Sequence, residues 1–230
     1  MRFSGLAVLL FTAPALYGFN VSITGKEAGI ELTPEYSRIY NGCLTFAGSG
    51  SLEFNERYTI RGGFAFWNAV ADSAYEFDAA TGLTVKLIRN LPLYIYVSYI
   101  FNTLPGYETN SHTILPLAAY RGKYAGLAMG TNLRFTSFFN EPAIFEPILA
   151  LEAYVNFYHT EKLRIGLRGA NFDDFTAGNF GAYYLSLNGS ITITEAISLK
   201  TSVDVHQTGS VGLSAEFYRI ACRMGVVCTW

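Results

Sequence analysis

The chain has 230 residues with a formal net charge of −2; half of its residues are hydrophobic, 16% are aromatic and only 15% are charged, against about 25% charged in ordinary soluble domains. No run of lysine and arginine occurs, which argues against a nucleic-acid partner, and no apolar run approaches the roughly 20 residues that a transmembrane helix needs. Apolar content that is high yet dispersed at period two is what a transmembrane β-barrel requires.

The first residues read as an export signal over 1–18. Arg2 supplies a positive start, Leu6 to Phe11 an apolar stretch, and Ala15 or Gly18 a small residue for cleavage. Residues 19–230 then form one barrel. The three cysteines, Cys43, Cys222 and Cys228, make no disulfide framework, because Cys222 and Cys228 lie six residues apart on one predicted strand, roughly 20 Å, beyond bridging distance. No Cys/His spacing suggests a metal, and no cofactor motif is present.

Taken in order, Ala28 to Ile39 is predicted as the first strand, with Glu31 and Glu35 on its polar face and Pro34 tolerable at an edge or bulge. Cys43 to Phe54 sets Leu44, Phe46 and Leu52 against Thr45 and Glu53, and Asn55-Glu56 makes a tight turn. Arg57 to Asn68 sets Tyr58, Ile60, Phe64 and Phe66 against Arg57 and Arg61. Ala74 to Ile88 sets Tyr75, Phe77 and Leu83 against Glu76, Asp78 and Lys86. Leu93 to Asn102 is rich in aromatic and β-branched residues, which favours a strand. A loop is expected over 103–111, and the alternation blurs over 112–121. Ala125 to Phe135 places Arg134 on the polar face, and a loop is expected from Phe139 to Pro147. Ile148 to Tyr158 carries Glu152 inward, Leu163 to Asn171 carries Arg164 and Arg168, and a loop follows from Phe172 to Asn179.

Tyr183 to Ile193 and Ile197 to Val205 alternate cleanly, the second with Lys200 and Asp204 on its polar face. From Tyr218 to Trp230 every even residue is apolar (Tyr218, Ile220, Cys222, Met224, Val226, Cys228, Trp230), opposite Arg219 and Arg223. The parity of apolar residues changes between Phe217 and Tyr218, which predicts a β-bulge. This aromatic-ended strand resembles the last strand of bacterial outer-membrane β-barrels; the resemblance names a class and no family within it. It implies an outer-membrane location, contact with membrane lipid, and reading of Tyr218, Met224, Val226, Cys228 and Trp230 by the barrel-insertion machinery.

The chain therefore predicts an all-β fold, a single closed up-and-down antiparallel barrel of about 12 strands, with 10 or 8 as alternatives. Short turns are expected on the side of the termini and longer loops on the other. Glu31, Glu35, Glu53, Arg57, Arg61, Glu76, Asp78, Lys86, Arg134, Glu152, Arg164, Arg168, Lys200, Asp204, Arg219 and Arg223 are expected to line the lumen. A passive channel for small polar solutes follows, not an enzyme; alternatives are a closed structural or surface-interaction barrel and an outer-membrane lipid hydrolase. Asp204, His206 and Ser214 are the residues such a hydrolase would use, though three common polar types at a loop end need no chemistry. Asp173 and Asp174 with Asn171 and Asn179 offer oxygen ligands for calcium, against the commoner reading of solvated loop carboxylates, and His112 and His159 have no evident partner. External loops offer a surface for an extracellular ligand. At the closure, Arg223 is expected near Glu31, Arg219 near Glu35, and Asp204 on the far flank.

Overall fold

The computed structural model describes residues 22–37, 42–69, 74–104, 108–138, 143–172, 182–208 and 216–230. The expected leader, and Ser214, Asp173, Asp174 and Asn179, lie outside them. Twelve strands follow one another: β1 (Ile23–Ser37), β2 (Cys43–Phe54), β3 (Tyr58–Ala69), β4 (Ala74–Lys86), β5 (Leu93–Leu104), β6 (Thr109–Arg121), β7 (Ala125–Ser137), β8 (Ile144–His159), β9 (Leu163–Ala170), β10 (Ala182–Thr194), β11 (Ile197–Thr208) and β12 (Glu216–Thr229). Each pairs antiparallel with the next, and β12 pairs with β1, so the sheet closes on itself without a free edge.

Alternation produces the two faces, because successive strand side chains point to opposite sides. Ile30, Leu32, Leu83, Val97, Met129, Leu167, Leu187 and Val203 are exposed around the outside. Their neighbours Thr33, Thr84, Ser98, Ala128, Ser186 and Asp204 are buried within the barrel. An exposed apolar belt over a polar interior is the arrangement of a membrane-spanning barrel, and no described helix is long and apolar enough to cross a membrane.

Several local predictions are met. Asn55 and Glu56 both have positive φ, 52° and 56°, and Arg57 N–H donates to Phe54 O at 3.0 Å, giving a tight turn of the primed type. The bulge falls at Tyr218: His206 faces Arg219 and Gln207 faces Phe217, leaving Tyr218 as the extra residue. Pro34, by contrast, sits at neither an edge nor a bulge: it pairs in register with Leu44 of β2, and on its other side the β1–β12 ladder lapses between Leu32↔Met224 and Glu35↔Ala221.

Other expectations are corrected. The loop expected over 103–111 is short, since β5 runs to Leu104 and β6 begins at Thr109. Alternation blurs in β6 because its inward residues Leu115, Leu117 and Ala119 are themselves apolar and buried. Ile144 to Pro147 is not loop but the start of β8, paired with Thr136 to Leu133 of β7. Pro147 pairs with Leu133 of β7, and among the described residues the β8–β9 ladder begins at Glu152, beyond it. Arg57 lies in the β2–β3 turn, exposed and 5.5 Å from the Tyr58 ring centroid, and not in β3.

Candidate functional site: the lumen

The inner wall carries its charge in layers set by strand position. Nearest the chain termini, β3, β6, β9 and β11 contribute Arg61, Arg121, Arg164 and Lys200. Lys86 ends β4 on the same rim, where it shares a pocket with Arg57 and Arg89. Glu53 is also on this side and accepts a hydrogen bond from Thr24 Oγ1 at 3.1 Å. Lys200 reaches Glu27 at 3.5 Å in an exposed pair.

In the middle of the barrel, Glu152 is the hub. Its side chain is 1% exposed and takes Arg121 on one oxygen and Arg168 on the other, the latter at 2.7 Å. Burial makes the pairing compulsory, since an uncompensated carboxylate in a confined wall is far costlier than a paired one. Tyrosines frame the guanidinium groups. The Arg61 and Arg121 guanidiniums lie 5.2 and 5.4 Å from the Tyr96 ring centroid, Arg121 lies 5.7 Å from Tyr154, and Arg168 lies 5.6 Å from Tyr184. Tyr154 takes its place because Gly126 leaves room for it: a Cβ on Gly126 would collide with the Tyr154 ring.

The closure carries both expected ion pairs. Arg219 Nη1 donates to Glu35 Oε2 at 2.9 Å, and Arg223 lies 3.8 Å from Glu31. Arg223 also bonds Asp204 through Nε. Thr45 Oγ1 donates to Glu35 at 2.8 Å, and Arg219 Nη2 approaches His206 at 3.4 Å. Exchanging this pair is a direct test: Glu35→Arg or Arg219→Glu alone should lower refolding yield and stability by about 2 kcal/mol or more, because each leaves like charges facing each other in a narrow wall. The double exchange should recover most of that loss, read by urea titration in detergent. A double variant no more stable than either single change would separate the two residues.

Toward the loop side the balance turns acidic. Asn102 Nδ2 bridges Glu76 and Asp78, at 2.8 Å from Asp78, and Ser111 Oγ donates to Asn102 Oδ1 at 3.5 Å. Glu76 also lies within electrostatic reach of Arg219, Arg134 and Glu35, so this layer spans the lumen from β1 to β7. Beside it the wall becomes apolar, where Leu115, Leu117, Ala150 and Phe172 pack together with Tyr96 against them. Asn171 sets Phe172 there by clamping onto β8: it accepts from Leu151 N–H at 2.8 Å and donates to Leu149 O at 2.6 Å.

The residues suggested for other chemistry are otherwise engaged. Asn171 spends its side chain on the β8 backbone. Asp204 bonds Arg223, while His206 packs against Tyr184 in a tilted ring pair, with centroids 5.1 Å apart. His112 faces outward, where Nδ1 meets the Tyr99 hydroxyl at 2.7 Å, and His159 packs edge-on to Tyr124. Among the described residues no cluster of His, Cys, Asp or Glu could hold a metal ion. Of the residues named for the terminal signal, Met224 and Trp230 are exposed and Val226 and Cys228 half-buried. Sequence reasoning missed Arg121, Tyr96 and Tyr154, while alternation along its strand puts Tyr184 on the polar face with Ser186. Arg121 shares the inward parity of Ser111, Thr113 and Leu115, but that parity is legible only once β6 is known to bury apolar residues inward.

A water-accessible cavity of about 880 Å³ opens within the barrel on the terminus side. Its described lining includes seven cations (Arg61, Arg121, Lys123, Arg164, Arg168, Lys200 and Arg223) and three carboxylates (Glu31, Glu152 and Asp204). That leaves an excess of four positive charges, in a chain whose net charge is −2.

A closed 12-strand barrel with an apolar belt, a charged lumen and short turns beside its termini has the architecture of a bacterial outer-membrane β-barrel. Solved structures bear out the class: the chain is similar in fold to the NanC porin (TM-score 0.58, 8% identity, covering 86% of this chain and 98% of that one). It is similar also to the KdgM porin (TM-score 0.54, 11% identity, 87% and 98%). The translocator domain of the autotransporter NalP from Neisseria meningitidis is a third such structure (TM-score 0.56, 9% identity, 96% and 92%). No protein-family model matches the sequence, and comparison with curated proteins finds no match.

Proposed function

We propose that the protein is a passive channel for small polar solutes that favours anions over cations. The observation that carries this reading is the cationic excess around the cavity, whose described lining holds seven cations against three carboxylates. Such a wall focuses the field and raises the local concentration of anions. The lining tyrosines add flat, partly polar faces over which hydroxylated solutes can slide. Membrane lipid around the apolar belt is the partner this reading requires, and the external connections offer a surface to an extracellular ligand.

Refolded protein in a planar bilayer under a potassium chloride gradient tests it. Stepwise conductance is expected, with a reversal potential displaced toward that of chloride. Absence of steps, or displacement toward potassium, removes the reading. The second reading, a barrel without transport, draws support from the packing of Phe172 on Leu115, Leu117 and Ala150, which narrows the lumen toward the loop side. Phe172→Ala discriminates between them: a channel that this ring narrows conducts more without it, and a structural barrel stays silent.

A further inference from the structure

The balance of charge changes sign along the barrel axis and not merely around it. On the terminus side Arg61, Arg121, Arg164 and Lys200, all near the strand ends closest to the chain termini, outnumber Glu27 and Glu53. On the loop side the carboxylates Glu35, late in β1, and Glu76 and Asp78, early in β4, outnumber the cations Arg219, early in β12, and Arg134, late in β7. β4 alone gives the scale. Asp78 and Lys86 are eight residues apart on it, roughly 26 Å along a strand at ~3.3 Å per residue. With a strand tilt of about 40°, that becomes about 20 Å along the axis. At 0.1 M salt the screening length is about 10 Å. The two zones therefore keep separate ionic atmospheres, anions in the basic zone and cations in the acidic one.

We propose that the channel rectifies, passing more current when the loop side is positive. This rests on the channel reading of the same lumen and goes beyond its anion preference. With the loop side positive, cations held in the acidic zone and anions held in the basic zone both drift toward the boundary between the zones. The boundary fills with carriers and conducts. With the polarity reversed, both populations drift outward, the boundary is depleted, and current falls. At 1 M salt the screening length shrinks to about 3 Å, and the zones lose their hold on the ions between them.

Single-channel recording in symmetric potassium chloride tests the proposal on the unmodified chain. At 0.1 M the current at equal and opposite voltages should differ by about twofold, and at 1 M the ratio should fall close to one. Dextran sulfate, too large to enter, added to one compartment identifies the basic mouth by blocking from that side, which fixes the sign. Arg164→Glu with Lys200→Glu, two exposed positions on the basic rim, should bring the 0.1 M ratio close to one. Lys200→Gln alone should move it part of the way. A channel that conducts with a linear current–voltage relation at 0.1 M overturns the rectification and leaves the channel reading intact. Rectification that persists at 1 M, has the opposite sign, or ignores the charge reversals overturns it as well. A protein that never conducts removes both readings together.

Discussion

Glu152→Gln should destabilise the barrel by about 3 kcal/mol, the lower end of what breaking a buried ion pair costs. The carboxylate is 1% exposed and serves two guanidiniums at once, so its neutralisation leaves Arg121 and Arg168 facing each other with no anion between them. The loss is held to the lower end because both arginine side chains keep some contact with the cavity, at 21% and 29% exposure. Arg168→Gln should cost less than half as much, since Glu152 then still holds Arg121. Urea titration in detergent micelles, followed by the fluorescence of Trp67 and Trp230, measures both. A Glu152→Gln protein within about 1 kcal/mol of the parent would mean that the cavity hydrates the arginines well enough to make their partner dispensable.

Val203→Arg should cost about 2–4 kcal/mol, the penalty for a guanidinium on the lipid face near the bilayer midplane. Val203 stands at the centre of β11 and is 45% exposed on the outer belt. Its neighbour Ser202 points the other way and lines the cavity. Ser202→Arg faces water, at the cost of one like-charge contact with Arg223 across the ladder, so less than about 1 kcal/mol is expected. Folding into lipid vesicles across a urea series gives both values. Equal losses at 202 and 203 would mean that the two faces of β11 are assigned wrongly.

Where one face of a strand is apolar and the other polar, the sequence shows both the strand and its orientation. β11 is the clearest case, with Leu199 and Val203 against Lys200, Ser202 and Asp204. The closure was legible too, because counting residues from the ends of the first and last strands places Arg219 near Glu35; in the ladder the two are diagonal neighbours, Glu35 facing Ala221 and Arg219 facing Ser37. Legibility fails where the lumen stops being polar. In β6 the inward row passes from Ser111 and Thr113 to Leu115, Leu117 and Ala119, both faces are apolar, and period two vanishes; Arg121 was lost with it. It fails again at Ile144 to Pro147, where a proline reads as a break and only the ladder with β7 shows that the strand has already begun. Nor does any local pattern show that Tyr96, Tyr154 and Tyr184 share a wall with three arginines, because that meeting depends on strands far apart in the chain.

The pair that closes the wall joins residues 184 positions apart, Glu35 on β1 and Arg219 on β12. No barrel can form until the last strand exists, so every incomplete chain carries two unpaired strand edges and an uncovered apolar belt. Those edges are templates for pairing with other chains, and contacts so distant in sequence are slow to form. The time between synthesis and closure is therefore when this protein is most exposed to aggregation, and a carrier that covers β1 until β12 arrives would protect it most.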